Sequence, residues 1–475
     1  MVIGRFTRGS PVAPFLQQIA SFAAVLVLCS RIESQPAPSI VSGVVIEHTE
    51  VDSGVDDSGL RIGDVILSWS RGAAIGKIES PFDWMDLEIE QIPRGAVISR
   101  GLRDSREQSW TLSNSLLQIT IRPILRPGLV AGWQHCRDLE NPGKWSDAAA
   151  CWRGMMAQVK ATDPAWLNSW LEYKVAESLV LARRFNEADN SFRRAIEGGR
   201  PAGAIVPALL LLKWGEALAD RSKWTQAEDC YQACLQQARS MPAATLLQAV
   251  TLNRLGVVAY KRGDPDRAEQ DFQQELNIQQ KLAPRSLDTA KSLHNLANLA
   301  DDRGDLDRAE QYHQQALALR QLLAPGSLHV SASLQDLGVI ADERGNIAQA
   351  EEYYTQALAI AQKIQPGGFI VAEHLSNLGV LMKERGDLDR AEGLYEQALA
   401  IFQRSAPDSD LIADTLDNLG NLASIRGDLA LAEKYDRQAL AIAQNLDPDS
   451  HVVPGAFANM GDILKARGDL DGAEA

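Results

Sequence analysis

Cysteine and histidine are scarce in this sequence: 475 residues contain five of the first and seven of the second. No two cysteines have the C-x2-C spacing of a zinc site, and the histidines are scattered, with no H-E-x-x-H pair. A Walker loop and a Gly-x-Ser-x-Gly elbow are missing as well, so the sequence offers no catalytic constellation, no metal set and no cofactor cradle. Positive charge is also in deficit. Lys and Arg number 47 against 62 Asp and Glu, a net charge of -15, which argues against nucleic acid as a partner because a phosphate-backbone binder needs a basic face. Beyond residue 30 no apolar run approaches the roughly 20 residues of a membrane span. Tryptophan is confined: all ten lie before residue 225, so the chain is compositionally two-part.

Residues 1–30 differ from the rest. Arg5 and Arg8 precede the apolar run from Ile19 to Cys29, and no acidic residue comes before Glu33. This is the pattern of a targeting segment, either a cleaved signal peptide or a single membrane anchor. "LVLC", ending at Cys29, is similar to a bacterial lipoprotein box, with Leu28 where a small residue is usual. The expected location is extracytoplasmic, with membrane contact only through this segment.

What the sequence has in abundance is repetition. "RGDLDRAE" occurs at Arg303 to Glu310 and again at Arg385 to Glu392, and its glycine recurs at Gly263, Gly304, Gly345, Gly386, Gly427 and Gly468, a constant step of 41 residues. An alanine five residues on keeps the same step from Ala268 to Ala473. A strict period of this length means one supersecondary unit stacked repeatedly. Within a unit Leu293, Leu296, Ala297 and Ala300 form one helical stripe, and Ala391, Leu394, Tyr395, Ala398, Leu399 and Phe402 form another after the Arg-Gly-Asp corner. Each unit is therefore a helical hairpin.

Each corner residue has a structural task. Arginine stands in the last turn of the first helix, where a cation meets the negative end of the dipole. Glycine supplies the left-handed turn, and the aspartate, or Asn346 in one copy, caps the second helix. An adhesion tripeptide would be a single exposed copy, so the recurrence points to the fold. Cys136 takes the small-residue slot of Ala297 and Gly379, and Cys234 that of Ala316 and Ala398. Packed thiols follow, the alternative for the first being a disulfide to Cys151 across one hairpin in an extracytoplasmic protein.

The pattern of Leu plus a small residue (Leu296-Ala297, Leu378-Gly379, Leu419-Gly420), then Gly-Asp, Ala, an aromatic and another small residue (Ala391, Tyr395, Ala398), resembles tetratricopeptide repeats of the long kinesin-light-chain type. Weaker copies at "KWTQAEDCYQAC", "FNEADNSFRRA" and "KWSDAAACW" extend the array to nine units, the last incomplete. The resemblance implies a mainly α chain: a right-handed superhelical solenoid of such hairpins, irregular and Trp-rich over residues 127–250 and regular over residues 251–475. It also implies protein or peptide partners held in a concave groove lined by first helices.

The residue fourteen before each repeat alanine runs Arg254, Asn295, Asp336, Asn377, Asn418, Asn459, and Asn298 and Asn421 stand three residues further on. One amide can both donate to and accept from a peptide backbone. The candidate groove residues are therefore Asn295, Asn298, Asn377, Asn418, Asn421 and Asn459; the alternative is that these amides only bond neighbouring hairpins.

Residues 38–124 lack the repeat and alternate short β-rich runs with turns. Ser58-Gly59-Leu60-Arg61-Ile62-Gly63-Asp64-Val65-Ile66-Leu67, a helix at "SPFDWMDLEIEQI" and a Gly-led strand pair resemble a bacterial PDZ domain, a small α+β unit. That resemblance makes Val41, Ser42, Gly43 and Val44 the loop receiving a peptide C-terminus, with "LLQITIRP" completing the sheet and the irregular hairpins docking the domain. The repeat wording also looks like that preceding bacterial CHAT domains, which are caspase-like peptidases. Because the last hairpin stops at Ala475, the expectation is that this chain is the front part of a longer protein. Two functions then stand: an interaction scaffold, or the sensor part of such a peptidase. Neither requires an enzyme within these residues.

Overall fold

The computed structural model describes residues 42–51, 58–113, 117–407, 409–446 and 452–466. The expected targeting segment, Val41 and the final corner at 467–475 lie outside the described residues. Two compact units divide the chain, Gly9–Leu299 and Ala300–Ala475.

The first unit opens with strands β1 (Val44–Val51), β2 (Val65–Arg71) and β3 (Ala74–Lys77), helix α1 (Pro81–Glu90), and strands β4 (Val97–Arg103), β5 (Arg106–Leu112) and β6 (Leu117–Pro123). The sheet order is β5-β4-β2-β1-β6, with β3 on β2, and every pair is antiparallel. Asp104 and Ser105 take left-handed φ of 50° and 62° between β4 and β5, the twist a two-residue hairpin turn needs. Asp64 explains the Gly-Asp of the early motif. Its buried carboxylate accepts from the Arg61 N–H at 2.7 Å and from the Arg103 guanidinium at 2.7 and 2.6 Å, tying the loop before β2 to the end of β4. Ser80 starts α1 with a reciprocal bond to Asp83, and Ile46, Ile66, Ile78, Trp84, Leu87 and Val97 fill the core behind the sheet.

Helical hairpins follow: α2 (Pro127–Glu140) with α3 (Trp145–Met156), α4 (Trp166–Leu181) with α5 (Phe185–Gly199), α6 (Ile205–Ala219) with α7 (Trp224–Arg239), and α8 (Thr245–Lys261) with α9 (Pro265–Leu282). Helix α10 (Leu287–Asp302) carries the chain over the boundary. The second unit contains α11 (Leu306–Leu323), α12 (Leu328–Glu343) with α13 (Ile347–Ile364), α14 (Phe369–Arg385) with α15 (Leu388–Ser405), α16 (Leu411–Ile425) with α17 (Leu429–Leu446), and α18 (Val452–Ala466).

Why a small residue recurs at one position of the first helices is plain from the packing. A Cβ added at Gly215, Gly256, Gly338 or Gly379 would lie 2.4, 2.5, 2.4 or 2.7 Å from the ring of Tyr231, Phe272, Tyr354 or Tyr395 on the second helix. The aromatic needs the gap, so the two residues recur together. At Gly420 the ring is replaced by Asp436, 1% exposed, with neither carboxylate oxygen hydrogen-bonded.

The corners behave as expected in two respects. Gly386 takes φ of +84° and the other described corner glycines are similar, while Asp264, Asp305, Asp387 and Asp428 each accept a backbone N–H three residues on. Two points differ. Asn346 makes no side-chain cap. The corner arginine does more than face its own helix end: Arg344, Arg385 and Arg426 reach Glu310, Glu351 and Glu392 at 3.0, 2.6 and 2.5 Å, and Arg262 reaches Glu228, always 34 residues back. Each arginine thus bonds the second helix of the preceding hairpin. Exposed pairs contribute only up to about 1 kcal/mol each, but they fix the stacking of one hairpin on the next.

Cys136 and Cys151 are joined in a disulfide between α2 and α3, with Cα atoms 5.4 Å apart. For this pair the expectation of packed thiols is corrected; the hairpin brings the slot of Cys136 opposite that of Cys151. Cys230 and Cys234 are buried thiols, and burial pushes both up, to about 12 and about 11, which leaves them unreactive at neutral pH. No described helix is long and apolar enough to cross a membrane.

Candidate functional site

Of the four residues read as the loop receiving a peptide C-terminus, Ser42, Gly43 and Val44 are among the described residues, and Val44, where β1 begins, has neighbours on both edges. Val44 and Val45 pair with Ile66 and Val65 of β2 on one edge and with Pro123 and Arg122 of β6 on the other. The Ile124 N–H donates to the Gly43 carbonyl at 3.1 Å. Strand β6 runs antiparallel along all of β1, and α1 packs beside it. A peptide added next to Val44 would have to displace the chain's own strand. The order of runs along the sequence shows that a sixth strand exists; which edge it covers depends on a pairing some 70 residues long in chain separation.

Helix α1 is engaged too. It lies against α6 and α8, both first helices, and Phe82 meets Trp170 of α4 edge to face at 5.3 Å. The buried Glu90 carboxylate accepts the Leu247 N–H at 2.7 Å, at the start of α8. On the sheet side, the Trp133 Nε1–H of α2 donates to Glu47 of β1 at 2.8 Å. The expected docking of the sheet domain on the irregular hairpins is therefore present, and it covers first-helix surface of the early repeats.

Fourteen residues before Ala227 and Ala188 stand Lys213 and Lys174, which continue the series beyond Arg254 towards the N-terminus. These cations have carboxylate partners: Lys174 with Glu177 at 2.8 Å, Lys213 with Glu216 at 3.0 Å, and Arg254 with Glu216 at 2.7 Å. Lys213 and Arg254 beside it hold the Glu216 carboxyl down at about 2 despite its burial. The α1 sequence brings Asp83, Asp86, Glu88 and Glu90 and no cation, with Glu88 close enough to Lys213 to stabilise its charge. Lys174 and Lys213 were legible from the period alone.

The candidate asparagines do not behave as one set. In the first unit, Asn298 Nδ2 lies 3.2 Å from His294 Nε2, and the buried Asn295 Nδ2 has no hydrogen-bond partner among the described residues. In the second unit Asn421 and Asn459 both donate to Asp417, at 3.2 and 2.7 Å, and Asn418 accepts from Lys383 at 3.4 Å. The Asn459 bond joins α18 to α16 and the Asn418 bond joins α16 to α14, so these two amides link neighbouring hairpins. Asn377, half-buried on α14, has no side-chain hydrogen bond among the described residues. Glu373 stands four residues before Asn377 and so shares its helix face, whereas Ser376, adjacent to Asn377, turns inward and is buried. Burial pushes the Glu373 carboxyl up to about 7.

Comparison with known proteins agrees with the hairpin geometry. The tetratricopeptide repeat family model matches residues 207–281, 247–321, 288–363 and 370–445. No curated protein matches the sequence. Among solved structures, BtubC (BKLC) from P. vanneervenii is 26% identical, with 48% of this chain and 93% of that one covered and a TM-score of 0.43. A putative kinesin light chain from Podosopora anserina with nearly identical TPR-like repeats is 20% identical over 42% of this chain and 97% of that one, TM-score 0.37. A Rap protein complexed with Competence and Sporulation Factor is 13% identical over 73% of this chain and all of that one, TM-score 0.42. The matched stretches, residues 207–363 and 370–445, cover the helical hairpins from α6 to α17, and Lys213, Arg254, Asn295, Asp336, Asn377 and Asn418 stand on first helices of those hairpins.

Proposed function

We propose that this protein is an interaction scaffold that holds an extended peptide segment of a partner along α12, α14 and α16. The observation that carries the reading is the contrast between two sets of first helices. Those of the early repeats are covered by α1, and their charged series is paired internally. On α14 of the second unit, Asn377 keeps an amide with donor and acceptor both uncommitted, which is what an extended backbone requires. The PDZ-like resemblance of the sheet domain then serves a structural end, with β6 in the strand-accepting edge. An extracytoplasmic location fits the disulfide between Cys136 and Cys151.

The test uses the full chain as bait for a displayed library of random extended peptides. Enriched peptides should bind the unaltered protein and lose most affinity for Asn377→Ala. Enrichment that survives Asn377→Ala but is lost on removing the sheet domain would overturn the placement.

A further inference from the structure

The same face indicates the chemistry of its partner, an inference that rests on the peptide-holding reading above. Helices α12 and α16 contain five acidic residues, Asp336, Asp342, Glu343, Asp414 and Asp417, each engaged with a neighbour, and no lysine or arginine, while the Arg320 guanidinium that reaches α12 from α11 donates to Ser333 at 2.6 Å. The two cations of α14 are both committed: Arg385 bonds Glu351 of α13 at 2.6 Å, and Lys383 donates to Asn418. His374 is buried against Ser331 at 2.7 Å, and its burial lowers it to about 4, so it stays neutral. Glu373 has no cation or hydrogen-bond donor among the described residues. Three residues on, Ser376 is 1% exposed and its Oγ is unpartnered. On α12 both amide atoms of Gln335 are buried and unpartnered as well. Polar groups withdrawn from water are ordinarily satisfied, and Glu373 has burial and no neighbouring cation acting on it among the described residues.

We infer that the α14 face of Glu373 and Asn377, one helical turn apart, receives a lysine or arginine side chain of an extended peptide, with Glu373 as its counter-ion and Asn377 on the backbone. Charge complementarity selects this occupant: an acidic segment would add like charge to Glu373, and a neutral one would leave its carboxylate unpaired. Binding of the cation also removes the cost of holding that carboxylate half-buried.

Fluorescence anisotropy with three labelled decapeptides, alternating Ser-Lys, Ser-Gln and Ser-Glu, tests this on the full chain at physiological salt. The Ser-Lys peptide should bind at least about tenfold more tightly than Ser-Gln, and Ser-Glu should not bind. Glu373→Gln should remove that margin, whereas Glu352→Gln, which removes an exposed carboxylate from α13, should leave it intact. Equal losses in the two variants would mean generic attraction to an acidic protein and would overturn the inference. Equal binding of all three peptides, abolished by Asn377→Ala, would overturn the cation preference and leave the peptide-holding face standing. No binding by any peptide would overturn both. Circular dichroism melting of Glu373→Gln, expected at or above the parent value, separates loss of binding from loss of fold.

Discussion

Glu90 and Leu247 stand 157 residues apart in sequence, yet the Glu90 carboxylate accepts the Leu247 N–H at 2.7 Å and is itself 1% exposed. The bond satisfies a free N–H at the start of α8 from a different domain, and the Arg94 guanidinium neutralises the same carboxylate at 2.7 Å. It makes the sheet domain part of the repeat array's own packing, which turns several of the following outcomes into tests of that arrangement.

Glu90→Ala leaves Arg94 half-buried without its counter-ion and the Leu247 N–H without an acceptor. A loss of about 3 kcal/mol is expected, read by urea unfolding, together with faster proteolysis between α1 and α2. Glu90→Gln, which keeps an acceptor oxygen, should lose clearly less.

Reducing the Cys136–Cys151 bond reopens a loop of 15 residues. A loop of that size is worth about 3 kcal/mol of unfolded-state entropy. The melting temperature should fall in dithiothreitol for the parent and stay unchanged for Cys136→Ser/Cys151→Ser. Neither Cys230 nor Cys234 should react with an exposed-thiol reagent in the folded state.

Asp436 occupies an aromatic slot, and burial with Asp417 nearby pushes its carboxyl up to about 7 from an ordinary 3.8. The folded state then binds a proton that the unfolded state releases between these values. Stability from this group is full below about pH 4 and is lost as pH rises towards 7. Asp436→Asn should flatten that part of the pH profile. Asp436→Tyr, which restores the ring that Gly420 leaves room for, should add about 2 kcal/mol at pH 8, measured by chemical denaturation.

Asn377 and Asn459 occupy the same repeat position but should separate experimentally. Asn459→Ala removes the bond to Asp417 across two hairpins and should cost about 1 kcal/mol. Asn377→Ala breaks no bond within the described structure, so its melting curve should stay within about 0.5 kcal/mol of the parent while peptide capture fails. Matching stability losses in both would assign Asn377 to the fold.

Much of this architecture is local and was therefore legible in the sequence. A period of 41 residues, a glycine at φ near +80°, an aspartate capping three residues on and an aromatic opposite a glycine are decided within one hairpin. Steric and hydrogen-bond requirements over such short separations force the residue type. The groove position was legible by the same counting, including Lys174 and Lys213 once the count is carried back.

Tertiary structure alone decided what those positions do. Whether an amide links hairpins, as Asn459 does through Asp417, or stays uncommitted, as Asn377 does, depends on the neighbour one repeat away. The corner arginine's partner 34 residues back, the closure of β1 by β6, and the burial of α1 on α6 and α8 are pairings between segments distant in the chain. Sequence periodicity repeats the same face in every hairpin; only the fold decides which copies are covered by a neighbouring element.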